Sequence, residues 1–384
     1  MLQYPPLSLY IHIPWCIRKC PYCDFNSHQS PARLPEQEYV SAVCEDIRNE
    51  QARRSEDDIR TLRSVFIGGG TPSLFSAHSI ECLLVTARES FGFEENIEIT
   101  LEANPSTAEA RRFSDYRTCG VNRLSLGIQS FNETRLKQLG RVHDAVQARR
   151  AIEHSEQAGF DNVNLDLMHG LPQQSVAAAL ADIEIALAFE PTHLSWYQLT
   201  VEPNTEFYNK PPPLPQESVL EQIQQQGLER LKAAGFDRYE ISAYCQGDHG
   251  ARHNLNYWSY GDYIGVGAGA HGKLSNPRIN TITRSRKRKQ PMHYMAATIN
   301  RDAERHEVPI EERPLEYLLN TLRLRQGFTI QEFEERTGVS FSDIQMRVKY
   351  LVANNLLIGR YNHITTTERG YRMLDSLLEH FLED

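Results

Sequence analysis

Cys16, Cys20 and Cys23 crowd into eight residues, in the run Cys16-Ile-Arg-Lys-Cys20-Pro-Tyr-Cys23-Asp-Phe25. They directly follow an apolar stretch, Leu9 to Ile13, that reads as a strand, so they fall on the loop at its C-terminal end. Three thiolates this close can each bind a different iron of one cubane cluster, and a four-iron cube with three cysteine ligands keeps one iron open for a substrate or cofactor. Structural zinc competes for these residues, but it wants four closed ligands. The nearest candidates, His12 and His28, make no familiar zinc spacing. A redox pair would use Cys20 and Cys23 alone and leave Cys16 without a role. An iron–sulfur cluster explains all three. Cys44, Cys82, Cys119 and Cys245 are isolated, and the first two fall on expected helix interiors, where a free cysteine behaves as a small apolar residue. Seven cysteines in 384 residues make no disulfide scaffold.

Composition narrows the class. The chain carries 41 basic and 50 acidic side chains, a net charge of −9, which argues against a protein built to coat nucleic acid. No apolar run approaches the ~20 residues of a membrane span. Nothing basic precedes Arg18, and the apolar stretch Leu7 to Trp15 contains His12 and Pro14, so no secretory signal is expected and the default compartment is the cytoplasm.

Short apolar runs recur between helix-like stretches. The expected strands are Leu9 to Ile13, Ser64 to Ile67, Ile97 to Leu101, Asn122 to Leu126, Val163 to Leu167, Leu194 to Leu199 and Tyr239 to Ile241. Strands alternating with helices imply right-handed crossovers and a parallel sheet, here an α/β fold of the full or partial β/α barrel type. These strands alternate in polarity: Ile97, Ile99 and Leu101 interleave with Glu98, Thr100 and Glu102. If the apolar set faces the helices, the polar set lines a wet or ligand-filled lumen; an antiparallel sheet with one solvated face is the alternative.

Residues 1–242 would form the barrel and 243–313 an extension rich in Gly, Tyr and His. The stretch Asn276 to Gln290 is polar, and its basic run, Arg284, Arg286, Lys287, Arg288 and Lys289, reads as a solvated loop. Residues 314–384 read as a winged-helix-like module: helices over Leu315 to Leu324, from the capping pair Thr329 and Glu332, and over Phe341 to Val352, then a hairpin over Leu356 to Thr365 and a helix over Tyr371 to Phe381.

The cysteine spacing on the first strand's loop resembles that of the radical S-adenosylmethionine (SAM) superfamily. The resemblance implies that the open iron holds the amino and carboxylate groups of SAM. One electron from the reduced cluster then breaks a C–S bond, giving methionine and a 5′-deoxyadenosyl radical. Barrel enzymes place their sites at strand ends, and each strand end here offers a fitting residue. Gly68-Gly69-Gly70-Thr71-Pro72 ends the second strand, Glu102-Ala-Asn104-Pro105 the third and Gly127-Ile-Gln129 the fourth; Arg141 follows, and Asp166 lies within the fifth. The chain is further similar to the oxygen-independent coproporphyrinogen oxidases and their relatives. That likeness implies that Tyr10, Gly69, Gly70, Thr71, Glu102, Gln129, Arg141 and Asp166 contact SAM.

The stretches Leu9 to Cys16, Asn164 to Pro172, His193 to Thr200 and His253-Asn254-Leu-Asn256-Tyr257-Trp258 resemble the HemW family of haem chaperones over nearly the whole chain. Two departures separate it from the oxidases. They carry a further cysteine two residues past the third ligand, where this chain has Phe25, and an arm before the cluster for which Cys16 stands too near the start. Both put porphyrinogen decarboxylation in doubt, and oxygen-independent coproporphyrinogen III oxidase is kept as the alternative activity. The HemW resemblance implies haem as cargo, haem-accepting respiratory proteins as recipients, an electron donor, and His253 as a haem contact. A neutral imidazole is a common axial ligand, and Tyr257 and Trp258 offer flat apolar surface. His271, in a Gly-rich run, is a weaker candidate. No residue is singled out as catalytic. A peripheral membrane contact through the basic run and a homodimer are left open.

Overall fold

The computed structural model describes residues 1–106 and 110–382. Six strands lie parallel and in chain order: β1 (Leu7–Ile13), β2 (Leu62–Gly69), β3 (Phe93–Ala103), β4 (Arg123–Gln129), β5 (Val163–His169) and β6 (His193–Gln198). Helices between them return the chain, among them α1 (Glu36–Ala52), α2 (Ala77–Phe91), α3 (Phe113–Thr118), α4 (Ala145–Gln157) and α5 (Val176–Leu187). α6 (Glu217–Ala233) follows β6 and packs on α5. The parallel pairing disposes of the antiparallel alternative.

The polarity alternation has the meaning expected of it. Ile99, Leu101, Leu124, Leu126, Leu165 and Leu167 are buried in one core with Ile80, Leu83, Ala148 and Ile183 from the helices. Glu102, Ser125, Gln129, Asp166 and Ser195 point the other way and line a cavity.

Both edges of the parallel sheet continue antiparallel. β7 (Asp237–Arg238) and β8 (Ala243–Cys245) extend it beyond β6. The strand expected over Tyr239 to Ile241 is instead the turn between these two. Its polar side chains close it: the Arg238 guanidinium donates to the carbonyls of Glu240 and Ile241, and the Glu240 carboxylate accepts from the Ser242 N–H and hydroxyl. At the other edge β9 (Asp262–Val266) pairs parallel with β1, and β10 (His271–Asn276), β11 (Thr281–Lys287) and β12 (Asp302–Glu307) follow antiparallel. The result is a twelve-stranded sheet with β12 and β7 at its unpaired ends, an open, partial barrel.

The solvated loop expected over the basic run Arg284 to Lys289 is therefore corrected: Arg284 to Lys287 lie in β11. Three of the five cations in that run, Arg284, Arg286 and Lys287, have partners. Lys287 is buried and faces Asp46, Glu50 and Asp302 at 2.8, 2.7 and 2.9 Å. Arg284 pairs with Glu316 at 2.8 Å.

α7 (Arg252–Trp258) enters the lumen from the N-terminal ends of the strands. The Glu98 carboxylate accepts from the backbone N–H groups of Arg252 and His253 at 3.0 and 3.1 Å, holding the helix start where its dipole favours an anion.

The C-terminal module comprises α8 (Arg313–Thr321), β13 (Phe328–Thr329), α9 (Ile330–Thr337), α10 (Gln345–Ala353) and the hairpin β14 (Leu357–Arg360) and β15 (His363–Thr366). This is the winged-helix layout. Thr329 and Glu332 form the expected reciprocal cap. The last helix breaks at Met373 into α11 (Glu368–Arg372) and α12 (Leu374–Glu379). Edge-to-face pairs of Tyr317 with Phe328 and Phe333 centre a separate core, which also takes in Leu2, Tyr260 and Ile282 from outside residues 314–384. No described helix is long and apolar enough to cross a membrane.

Candidate functional site

One cavity of 320 Å³ opens at the C-terminal ends of β2 to β6, and Cys16, Cys20 and Cys23 border it. A small parallel pair, Trp15–Cys16 with His28–Gln29, carries the cysteine loop. Burial pushes the Cys16 thiol up to about 11 and raises that of Cys23, so these thiols hold protons that iron would displace. Among the described residues no three His, Cys, Asp or Glu side chains converge on a point fit for a single ion. The three cysteines border the cavity instead.

Of the residues expected to hold a ligand, Gly69, Gly70, Thr71, Glu102, Gln129, Arg141 and Asp166 line this same cavity. Two are carboxylates with little compensation. Glu102 is driven up to about 8, by burial first and by the nearby Asp166 second, against the Gly69 N–H that donates to it at 2.9 Å. Asp166 is also raised by burial, although Asn164 at 2.8 Å and Ser125 at 3.2 Å donate to it. A cationic or hydroxyl-bearing ligand would relieve both. Toward the cysteines the sign reverses. The buried Arg141 guanidinium stands 3.7 Å from the Cys20 sulfur and donates to Asn104 Oδ1 at 2.6 Å and to the Gly127 carbonyl at 2.8 Å. Its buried Nε has no partner among the described residues. The cavity thus fits a ligand with a carboxylate at one end and a cation with hydroxyls at the other.

The backbone here is specialised. Gln129 has φ +67°, a left-handed conformation unusual for a side-chain-bearing residue, and its Oε1 accepts from the Tyr197 hydroxyl at 2.7 Å. Gly69 has φ +115°, and a Cβ there would lie 2.5 Å from the His12 ring; at Gly70 it would meet the Trp15 carbonyl at 2.5 Å. These glycines let β2 pass beneath the cysteine loop, a stronger demand than open access for a ligand.

Tyr10 and His253 lie apart from the cavity lining, deeper in the lumen. The Tyr10 hydroxyl meets His12 Nδ1 at 2.9 Å, and His12 Nε2 meets the Asn26 carbonyl at 2.9 Å. The carbonyl can only accept, so Nε2 carries the proton and Nδ1 accepts from Tyr10. Burial lowers His12 to about 4, which keeps it neutral. His253 is on α7 at the lumen floor, its Nδ1 3.1 Å from the Ser64 hydroxyl and its ring tilted 5.1 Å from Phe66. Burial lowers it to about 3. Sequence reasoning did not single out Ser125, Ser195, Tyr197 and Tyr22, which also line the cavity. The period-two alternation of β4 and β6 is the signal that reaches the first three.

Comparison with known proteins follows this geometry. Residues 10–184 match the Radical SAM superfamily model, and residues 308–373 match the HemN C-terminal domain. Heme chaperone HemW of Haemophilus influenzae is 47% identical over the full length of both chains, and that of Escherichia coli 44%, again over both full lengths. The chain belongs to the HemW family. Among solved structures, coproporphyrinogen III oxidase (HemN) from Escherichia coli, a radical SAM enzyme, superposes with a TM-score of 0.82 at 21% identity, over 98% of this chain and 90% of that one. HemW-family membership and the HemN-like fold account for both parts of the architecture, the open barrel and the C-terminal module.

Proposed function

We propose that the chain binds a [4Fe–4S] cluster through Cys16, Cys20 and Cys23 and SAM at the strand ends, and that it carries haem to haem-dependent respiratory proteins. The observation that carries the cofactor reading is the single cavity in which three thiols and Arg141 face Glu102 and Asp166. The haem reading rests on the relatives named heme chaperone, 47% and 44% identical over their full lengths.

When bound and reduced, the cluster supplies the electron that breaks a C–S bond of SAM. This chain's own residues orient and shield. Arg141 neutralises a ligand carboxylate beside the cysteine loop. Glu102, accepting from the Gly69 N–H, takes ribose hydroxyls, and Asp166 adds negative charge deeper in the lumen. Gln129 is held by Tyr197 where its left-handed backbone turns it into the cavity. Tyr10 supports this layer from below through His12. His253 is proposed as a haem contact. It reaches a macrocycle only if α7 withdraws from the lumen floor, because its ring is enclosed by Ser64, Phe66 and Tyr10.

The test is anaerobic reconstitution with iron and sulfide, then haem titration with and without SAM. Cluster formation with saturable haem binding is expected. Conversion of coproporphyrinogen III to protoporphyrinogen under the same conditions would replace the chaperone reading with the oxidase one.

A further inference from the structure

The basic run of the sequence divides in the fold. Arg284 pairs with Glu316 at 2.8 Å, Arg286 with Glu304 at 3.1 Å, and Lys287 with three buried carboxylates. Arg288 and Lys289 are exposed, and neither is in an ion pair among the described residues. The Lys289 backbone grips the cysteine loop: the Asn26 amide donates to its carbonyl at 2.9 Å and to that of Ala268 at 2.8 Å, while the neighbouring Gly269 N–H donates to the Arg288 carbonyl at 3.0 Å. On the loop itself Arg18 and Lys19 are exposed and equally without an ion pair among the described residues; Lys19 Nζ reaches only the Phe25 carbonyl, at 3.3 Å. Lys19 and the backbone of Lys289 both act on His28, which places the two stretches side by side. The same loop exposes Ile17 and Phe25, to 48% and 62%. Asp24 is the one carboxylate in the loop from Cys16 to His28.

A chain of net charge −9 therefore gathers three uncommitted cations, Lys19, Arg288 and Lys289, at the loop that carries the three cysteines and the exposed Ile17 and Phe25; Phe25 and a fourth cation, Arg18, also border the mouth of the cavity. We propose that this collar docks an acidic electron-carrier protein, one that holds a flavin or an iron–sulfur centre behind a carboxylate-rich surface. The proposal rests on the cluster reading above. In the step it serves, one electron leaves the carrier's reduced centre, oxidising it by one equivalent, and enters the cluster, reducing it by one; no bond is made or broken. Charge complementarity of this kind raises encounter rates and fixes orientation, with the apolar pair as a small dry centre. An interface of this type is small and quickly released, as a carrier that must leave after one electron requires.

The experiment uses the full chain reconstituted anaerobically, with reduced flavodoxin as the acidic carrier. In the variant K19E/R288E/K289E, which leaves the cavity lining untouched, the second-order rate of cluster reduction is expected to fall at least about 10-fold. The wild-type rate should itself fall as salt rises from about 50 to about 500 mM, while the variant's should not. Photoreduced 5-deazaflavin, small and uncharged, should reduce both proteins alike, which controls for cluster integrity. Carbodiimide should couple the flavodoxin to Lys19 or Lys289 of the wild type, read by mass spectrometry without any turnover. The milder R288Q/K289Q, which keeps the loop unchanged, should slow the reaction about threefold. Equal rates in wild type and both variants, or a wild-type rate indifferent to salt, would overturn the docking surface. So would variants that lose haem affinity at an unchanged rate, which would make the collar a haem-propionate contact. A wild-type chain that takes up no cluster fails the cofactor reading instead, and that result is distinct.

Discussion

The two ends of the same lumen are built on opposite principles. At the floor, polar side chains satisfy one another: His253 meets Ser64, Ser64 meets Ser8, Asn256 donates to Ser8, His193 bridges Asn164 and Tyr239, and Glu98 caps α7. At the mouth, two buried carboxylates confront each other, a non-glycine residue sits in left-handed backbone, and a buried guanidinium keeps an unpartnered nitrogen. The strands are shared, so strand chemistry is not the cause. Arg123 Nε and Thr100 Oγ1 are exceptions at the floor, without a partner among the described residues, so the contrast is one of degree: the floor is largely closed by its own hydrogen bonds, whereas the mouth keeps two raised carboxylates and the Arg141 Nε for a ligand.

Substitutions at the two ends should separate along this line. The largest effect is expected for Cys20→Ser, which removes a ligand at the mouth. The brown absorption near ~400 nm given by iron–thiolate bonding should vanish, while the melting temperature of the cluster-free chain stays that of wild type. Glu102→Gln should come next, weakening SAM binding about 100-fold in equilibrium dialysis. It should also flatten a pH dependence. Glu102 titrates at about 8 in the fold against an ordinary 4.5. Its raised value means that the folded state holds a proton the unfolded chain releases. Stability is therefore full below 4.5 and is lost as pH rises toward about 8. Melting of the ligand-free wild type should fall across that window, and SAM should offset the loss.

His253→Ala attacks the floor. Losing the Ser64 partner and the Phe66 packing should cost roughly 1–3 kcal/mol of stability in denaturant titrations, with iron and SAM stoichiometry unchanged and haem affinity reduced. Unchanged haem affinity would leave His253 a floor residue only. The smallest effect is expected for Gln129→Gly. Relief of the left-handed backbone offsets the lost Tyr197 contact, so stability should shift by less than about 1 kcal/mol while SAM affinity drops several-fold.

Much of this was legible because β/α barrels write themselves with short-range signals. Period-two alternation, spelled out most clearly in β3, located the lumen, and the cysteine spacing located its mouth. The signals failed where partners are distant in sequence. Lys287 reads as solvated until Asp46 and Glu50 arrive from α1, 241 and 237 residues away. The turn at Tyr239 to Ile241 reads as a strand because its apolar and β-forming residues outweigh the side-chain closure by Arg238 and Glu240. His253 and Tyr10, grouped with the ligand residues by family likeness, lie below the cavity; no local pattern reports depth along a lumen. Gly69 and Gly70 border the cavity as the sequence suggests, but only the fold shows His12 and Trp15 filling the space of a side chain there.

The division of the basic tract gives ionic strength two separate targets. The Lys287 ammonium is enclosed by protein, where dissolved ions barely reach, whereas the neighbouring Arg288 and Lys289 stand in solvent, within the range that electrolyte dampens. Brine should thus silence recognition at the rim and leave β11 riveted to α1.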